Sequence, residues 1–508
     1  MNAFVQKFTT SIAATLSCFD RVIFKGYLPF GGDAHLNSYV DRSLRIRRKD
    51  FIPMVQDHSQ RLVQHAKALA EQAGRPYVYR QGKFDKEVFI ENIMRRDRIT
   101  EGFVAILCCQ ETCRTVKLQH ARRRPELVFA YRPQRVLYYY SIDPEFGLMY
   151  VRLQTWFPYT IQVYVNGHNW LARQMTKKRI GFCQRDNAFT QMDAPQRCQR
   201  LADRFARLAW VRQLSQWARR FNPILQEPFL KGTTYYWTIT QAEYATDAIF
   251  TSSSKLAGLY QRLLDHATVN FSAEDILTFL GRKLHGNFEG EVVTDCKKRR
   301  EPGARIKHRM KANWLKMYDK FAQILRIETV INNPREFRVR RSRVRKGRRQ
   351  MVWCPMNKGV ANFYQFEHVA RAANRRYLEA LSVVHDPAPS YQQVARLAER
   401  KVVDQRSYAC FNPASSDDLR LFHAVLAGEH LLNGFRNQDI RRRLFPRFTR
   451  PDICRRLAAK VSRMLKRLHV RRLIAKIPHT RRWRVTQLGH TILGAVVQLY
   501  YHGLSKTL

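Results

Sequence analysis

Acid is what this sequence has least of for its size. Over 508 residues, 41 aspartates and glutamates stand against 90 lysines and arginines, a formal net charge of +49. Such a field calls for polyanionic counter-charges, and nucleic acid is their usual source. A membrane surface is the competing polyanion, but the chain has no apolar run of about 18 residues and no lipidation signal. Asp20, Arg21 and Lys25 interrupt the apolar N-terminal stretch and no small-residue cleavage site follows. It therefore reads as the mature, soluble chain of a cytoplasmic, nucleic-acid-associated protein. The ten cysteines are scattered singly apart from Cys108, Cys109 and Cys113, which argues against a secreted disulfide scaffold and fits a reducing compartment. Those three thiols with His120 have the wrong spacing for a zinc finger or ribbon, and GFVAILCC reads as a buried strand. Also missing are a phosphate-binding P-loop, a dinucleotide glycine fingerprint, H-E-x-x-H, G-x-S-x-G and any H-x-H pair. ATPase, redox and hydrolase readings have no foothold.

What is present is enough apolar surface to fold: 45% of residues are hydrophobic and 12% aromatic, too many for a disordered basic tail. The pattern is α+β, with an N-terminal α/β region over 1–122 and a central mixed α/β unit over 123–383 built on an antiparallel, aromatic-rich sheet. A linker over 384–413 and a C-terminal helical unit over 414–508 follow. Asp20 lies inside an apolar strand, where a paired structural carboxylate and a catalytic one look identical in sequence; the structural reading is favoured, because a buried carboxylate needs partners whatever its role. Amphipathic helices are expected near Pro53 to Gln72 and Lys86 to Arg96. Tyr138, Tyr139, Tyr140, Tyr150, Trp156, Phe157, Tyr159, Tyr164 and Trp170 crowd the next block, in strands joined by turns at Asp143-Pro144 and Asn166-Gly167. Interleaved with Arg132, Arg135 and Arg152, these rings either form a platform for single-stranded nucleic acid or fill the sheet's own core. After a helical stretch from Ala194 to Ala218 comes a strand expected to turn into a helix bearing Glu243 and Asp247. Four residues apart, these two carboxylates would share a helical face, where they can hold a metal or stay solvated. Ser272 is placed to cap the helix that follows.

The stretch from Gly303 to Arg349 sets a hairpin in front of the densest basic run. Leu315 and Met317 alternate with Lys316, Tyr318 and Lys320, and Leu325 and Ile327 alternate with Arg326 and Glu328, which predicts one core face and one exposed face. Asp319 stands at the entrance to a turn over Lys320 to Gln323. On one reading Lys316, Arg326 and Glu328 form a cross-strand ion network with Tyr318 covering the edge. On the other, Tyr318 is a nucleophile or a base-stacking platform, Lys316 and Arg326 neutralise a scissile phosphate, and Asp319 and Glu328, with Glu243 and Asp247, bind Mg²⁺ or Mn²⁺. The segment from Lys316 to Glu328, Y-D-K followed by L-R-I-E, resembles phage and plasmid rolling-circle replication initiators. That resemblance implies a tyrosine and lysine on one strand and a metal-binding glutamate in the R-x-E element. Between Arg335 and Arg349 nine cations meet one acid, Glu336, so Arg338, Arg340, Arg341, Arg343 and Arg345 are expected on an exposed loop or ribbon against phosphate.

At the C-terminus a helix, a turn at Gly434 to Asn437, a second helix, a long third helix and a short strand pair around Trp483 follow one another. This order resembles a winged helix-turn-helix domain, and residues from Asn412 onward are expected to fold alone and prefer duplex DNA. Arg455, Arg456, Lys460, Arg463, Lys466 and Arg467 would line the exposed side of the recognition helix, and Arg481, Arg482 and Arg484 the wing. Two functions follow. The first is a DNA-processing enzyme of a mobile element or replication system, performing metal-dependent strand cleavage or transfer, with DNA favoured over RNA. The second is a non-catalytic nucleic-acid-binding protein or regulator.

Overall fold

The computed structural model describes residues 2–30, 36–82, 84–120, 125–228, 230–282, 291–298, 304–345, 348–384, 394–403, 405–430, 434–446, 450–478 and 480–500. The fold is mixed α+β with a large sheet. Its strands are β1 (Ile12–Tyr27), β2 (Tyr77–Arg80), β3 (Gly102–His120), β4 (Pro125–Asp143), β5 (Gly147–Gln154) and β6 (Ile161–Asn166). The hairpin β7 (Phe182–Arg185) and β8 (Ala188–Met192) comes next, then β9 (Tyr236–Phe250), β10 (Val292–Lys298), β11 (Ala304–Met310), β12 (Asn313–Lys320) and β13 (Ile324–Ile331). The basic run forms β14 (Arg338–Arg345) and β15 (Arg348–Pro355).

The chain divides into two units, each assembled from separated stretches. The first comprises Met1–Ala13, Asp247–Ile327 and Ala372–Leu508, and the second Ala14–Thr246 and Glu328–Arg371. In the second unit the strands pair in the order β13-β9-β1-β6-β5-β4-β3-β2. The pairs from β1 to β3 are antiparallel, while β2 lies parallel to β3. Strands β3 and β4 pair up to His120↔Pro125 and both lie in the second unit; the expected border between 122 and 123 lies outside the described residues. The helix Arg48–Gln72 buries Phe51, Val55, His58, Leu62, Ala66 and Ala70, spaced three and four apart as an amphipathic helix requires, and packs on β3 and β4. The helix Lys86–Arg96 lays Ile90 and Ile93 over a cluster that includes Leu107, Cys109, Cys113, Val136 and Tyr138. Cys108, Cys109 and Cys113 are core thiols. Most of the aromatic block is core as well: Tyr138, Tyr139, Tyr140, Phe157, Tyr159 and Trp170 are buried. Arg152 is held by Glu111 at 2.8 Å, which leaves Tyr131, Arg132 and Arg135 as the block's exposed members. Of the two alternatives for these rings, most of them fill the sheet's own core.

In the first unit β10, β11, β12 and β13 follow in order. Phe321 and Ala322 take left-handed φ values of 61° and 58° in the turn between β12 and β13, the geometry of a type I′ hairpin. All eight residues of β13 are buried, so the expected exposed face is absent. Strand β9 also departs from expectation, running as a strand through both Glu243 and Asp247. Its alanine- and acid-rich second half suits a helix locally, but pairing along both edges and burial of Tyr244, Ala245, Ala248, Ile249 and Phe250 override that preference. Ser272 caps the helix Ala273–Phe279 through a reciprocal bond with Asp275.

The helices Ser416–Leu426, Asn437–Leu444, Pro451–Val470 and Gln487–Leu499 enclose one apolar cluster with the paired strands β18 (Ile474–Lys476) and β19 (Trp483–Val485). That cluster reaches back to Leu397 and Phe411. Phe411 donates its N–H to the carbonyl of Leu397 at 2.8 Å, and β16 (Lys401–Val403) pairs with β17 (Arg406–Tyr408). Leu397 and Phe411, inside the stretch expected as a linker, thus belong to this core; the expected break at His385 to Pro389 lies outside the described residues. Among the described residues no helix is long and apolar enough to cross a membrane.

Candidate metal centre

Three carboxylates from three different strands meet within the second unit. Asp20 of β1, Glu243 of β9 and Glu328 of β13 each offer an oxygen, and these atoms lie within 4.8 Å of one another. The central strands bring them together. Thr238 donates its hydroxyl to the carbonyl of Lys25, Thr240 to that of Ile23, and Ser17 and Thr246 share a hydroxyl bond. These contacts step in opposite directions along β1 and β9 and set the stretch around Asp20 beside the stretch around Glu243.

Further polar groups orient the cluster. Asn166 closes β6 and caps the helix Gly167–Lys177, its side-chain oxygen accepting from the N–H groups of His168 and Asn169. Its amide nitrogen donates to Asp20 at 2.8 Å. Asn187, in the turn of the β7/β8 hairpin, donates to the second oxygen of Asp20, and His168 Nδ1 lies 3.7 Å from the first. The helix starts flush against β1, because a Cβ on Gly167 would stand 2.4 Å from the backbone oxygen of Phe19. Gln241 donates to Glu243 at 2.7 Å. Arg21 pairs with Glu87 at 3.0 Å. Burial pulls its pKa down, and the fields of Tyr164, Glu87 and Glu243 more than offset this and raise it above the ordinary arginine value.

Two full negative charges 4.8 Å apart repel by about 3 kcal/mol at an effective dielectric of about 20. Three ionised carboxylates at that spacing thus carry roughly 10 kcal/mol of mutual repulsion, which a divalent cation seated among them would reverse. Carboxylate oxygens suit Mg²⁺ or Mn²⁺. A Mg²⁺ with bonds of about 2.1 Å spans two oxygens at most about 4.2 Å apart. The cluster therefore needs to draw in by about half an ångström for one ion, or can share two ions about 3.5–4 Å apart.

Of the residues expected at a site, Glu243 and Glu328 are brought together with Asp20, and Arg326 with Asp247. Asp247 lies in the first unit, where the Arg326 guanidinium donates to both of its oxygens at 2.6 and 2.7 Å in full burial. Four residues along a strand span about 13 Å, so Glu243 and Asp247 do not share an ion as they would on a helix. Lys316 lies opposite Lys307 across β11 and β12, and their ammonium groups stand 5.8 and 3.6 Å from the Trp314 ring centroid. Tyr318 is 8% exposed. Asp319 has its pKa pushed up to about 6 by burial, against a bond from the Ala322 N–H. Lys316, Tyr318, Asp319 and Arg326 all belong to the first unit. Asp20 is the member that sequence reasoning assigned elsewhere; its signal was an acid set in the apolar run CFDRVIF of a chain so poor in acid. Asn166 was hidden as a turn residue.

Among the cations, Arg338, Arg340 and Arg343 are exposed on the β14/β15 ribbon and Arg341 is half-buried, while Arg345 contributes backbone opposite Arg348. Arg455, Arg456, Lys460, Arg463 and Lys466 are exposed along the helix Pro451–Val470, as are Arg481 and Arg484 around β19. Arg467 is taken up internally, stacked 3.9 Å from the Phe411 ring centroid and donating to the carbonyls of Ala409 and Cys410. Arg482 donates to the carbonyl of Gly434 at 3.1 Å. No protein-family model matches the sequence, and no curated protein or solved structure matches it.

Proposed function

We propose that this protein binds nucleic acid, DNA in preference to RNA, and cleaves or transfers strands with Mg²⁺ or Mn²⁺ held by Asp20, Glu243 and Glu328, as a DNA-processing enzyme of a mobile element or replication system. The observation that carries this reading is the convergence of three carboxylates from three strands in a chain of net charge +49. An acidic cluster attracts metal, and the surrounding positive field attracts phosphate to it. Metal there would polarise a phosphodiester oxygen and lower the pKa of a bound water. Water is the favoured nucleophile over Tyr318, whose side chain is buried. The helices Ser416–Leu426, Asn437–Leu444 and Pro451–Val470, followed by the β18/β19 pair, have the order of a winged helix-turn-helix domain, with Arg455, Arg456, Lys460, Arg463 and Lys466 on the helix that would enter the major groove.

The test is cleavage of supercoiled and single-stranded DNA with Mg²⁺ or Mn²⁺. Activity should vanish in Glu328→Gln with nucleic-acid binding retained, and no protein–DNA covalent adduct should form. The burial of Asp20 and Glu328 favours a second reading, a non-catalytic binding protein whose carboxylates brace the sheet. Binding without cleavage on every substrate would select it.

A further inference from the structure

The ribbon formed by β14 and β15 carries more than charge. Its root is fixed: Phe337, Val339, Cys354 and Met356 are buried, and the Met356 N–H donates to the Phe337 carbonyl at 2.8 Å. Beyond the root, the register sets Arg340 opposite Trp353, Ser342 opposite Met351 and Val344 opposite Arg349. Residues directly opposite in an antiparallel pair share a face, so Arg338, Arg340, Trp353, Met351 and Arg349 all lie on one side. Trp353 is 62% exposed and Met351 56%. Large apolar side chains left in water on a cation-rich arm point to a partner that has both an apolar face and negative charge.

We infer that this face of the ribbon binds unpaired nucleotides, with a base stacked on the Trp353 indole and the adjacent phosphates held by Arg338, Arg340 and Arg349. A base in an intact duplex is stacked on its neighbours, so its ring faces are closed to an indole lying along the ribbon. An unpaired base offers that face together with a phosphate on either side. The inference deepens the nucleic-acid reading above and rests on it, because it names the strand state that the second unit engages.

The experiment measures binding of the full chain to a fluorescently labelled single-stranded oligonucleotide, as DNA and as RNA, and to the blunt duplex of the same sequence. Trp353→Ala should weaken single-strand binding on the order of tenfold while changing duplex binding by less than about twofold, and Trp353→Phe should restore most of the loss. Arg340→Gln should weaken single-strand binding and make its logarithmic salt slope shallower by about one. An unchanged melting temperature in each variant shows that the fold is intact. The inference is overturned if Trp353→Ala leaves single-strand affinity unaltered, if it weakens duplex binding equally, or if wild type binds only duplex. Failure of wild type to bind any nucleic acid would overturn this inference and the broader function together.

Discussion

Arg326 and Asp247 offer the sharpest single perturbation, because the sequence marks both for chemistry and the structure commits them to each other. Arg326 is 0% exposed and Asp247 1%, and Arg326→Met removes the donor to each oxygen of Asp247. Breaking a buried pair in this way costs about 3–5 kcal/mol, since a charge is left unpaired in low dielectric. In a domain of 150–250 residues each kcal/mol moves the melting temperature by about 2–4 °C, so Arg326→Met should lower it by roughly 6–20 °C. Asp247→Asn should cost a comparable amount. The double change Arg326→Met with Asp247→Leu should recover most of it, because an apolar pair of similar volume replaces a buried ion pair at little net cost. Calorimetric melting of the full chain and the resulting double-mutant cycle supply the coupling energy. A loss below about 1 kcal/mol in Arg326→Met, or a double variant as unstable as the sum of the singles, would refute the reasoning. Melting with and without Mn²⁺ adds a second readout. Any stabilisation by the ion should survive Asp247→Asn; its loss there would restore Asp247 as a ligand.

Burial gives Asp319 a folded pKa of about 6 against an ordinary 3.8, so the folded state keeps a proton that the unfolded state releases. Stability from this group is full below about pH 4 and falls as pH rises to about 6; Asp319→Asn should match wild type at pH 4 and melt higher at pH 7 and above, and equal melting at both would contradict it. His308 shows the opposite sign: burial lowers its pKa to about 3, and its ring bonds Thr294 and Tyr377 at 2.9 Å each. Its contribution is present above about pH 6.5 and fades as pH falls, by up to about 1.4 kcal/mol per pH unit, a slope that His308→Gln should remove. For the C-terminal unit, a fragment starting at 394 should melt cooperatively. One starting at 412 loses Leu397 and Phe411 from the core, at least about 5 kcal/mol by large-to-small equivalents, and should be unfolded or marginal; equal melting of the two would return 394–411 to the status of a linker. Binding to nucleic acid should weaken about a thousandfold between about 50 and 200 mM salt if six or more phosphates are neutralised, and a flat profile would exclude the electrostatic footprint.

Local pattern carried the sequence reading a long way. The spacing in Arg48–Gln72, the Ser272 cap, the β12/β13 hairpin and the helices of the C-terminal unit are all features that three to twenty neighbouring residues specify. The density of cations between Arg335 and Arg349 made that stretch readable as an exposed loop or ribbon, and the ribbon is the form it takes. What stayed hidden depends on pairing between distant stretches. Asp20 and Glu243 are separated by more than two hundred residues, and no local pattern shows that β1 and β9 are neighbours. The second half of β9 has a helix-former's composition and becomes a strand because β1 and β13 pair along its edges. Arg326 and Glu328 looked like an exposed face because alternation of charge with apolar residues signals solvent; here each charge is buried with acidic groups from elsewhere in the chain, Asp247 for one and the carboxylate cluster for the other. Residues 394–411 resemble a linker in composition, yet two apolar side chains, Leu397 and Phe411, suffice to draw them into a core.

Binding of metal by the three carboxylates is what the proposed function requires most directly. Titrating wild type with Mn²⁺ and following free ion by electron paramagnetic resonance should reveal one or two sites per chain, with affinity falling at least about tenfold in Glu328→Gln and in Asp20→Asn and unchanged in Asp247→Asn. Wild type that takes up no Mn²⁺, or Glu328→Gln that binds it as tightly as wild type, would contradict the assignment of Asp20, Glu243 and Glu328 as a metal centre.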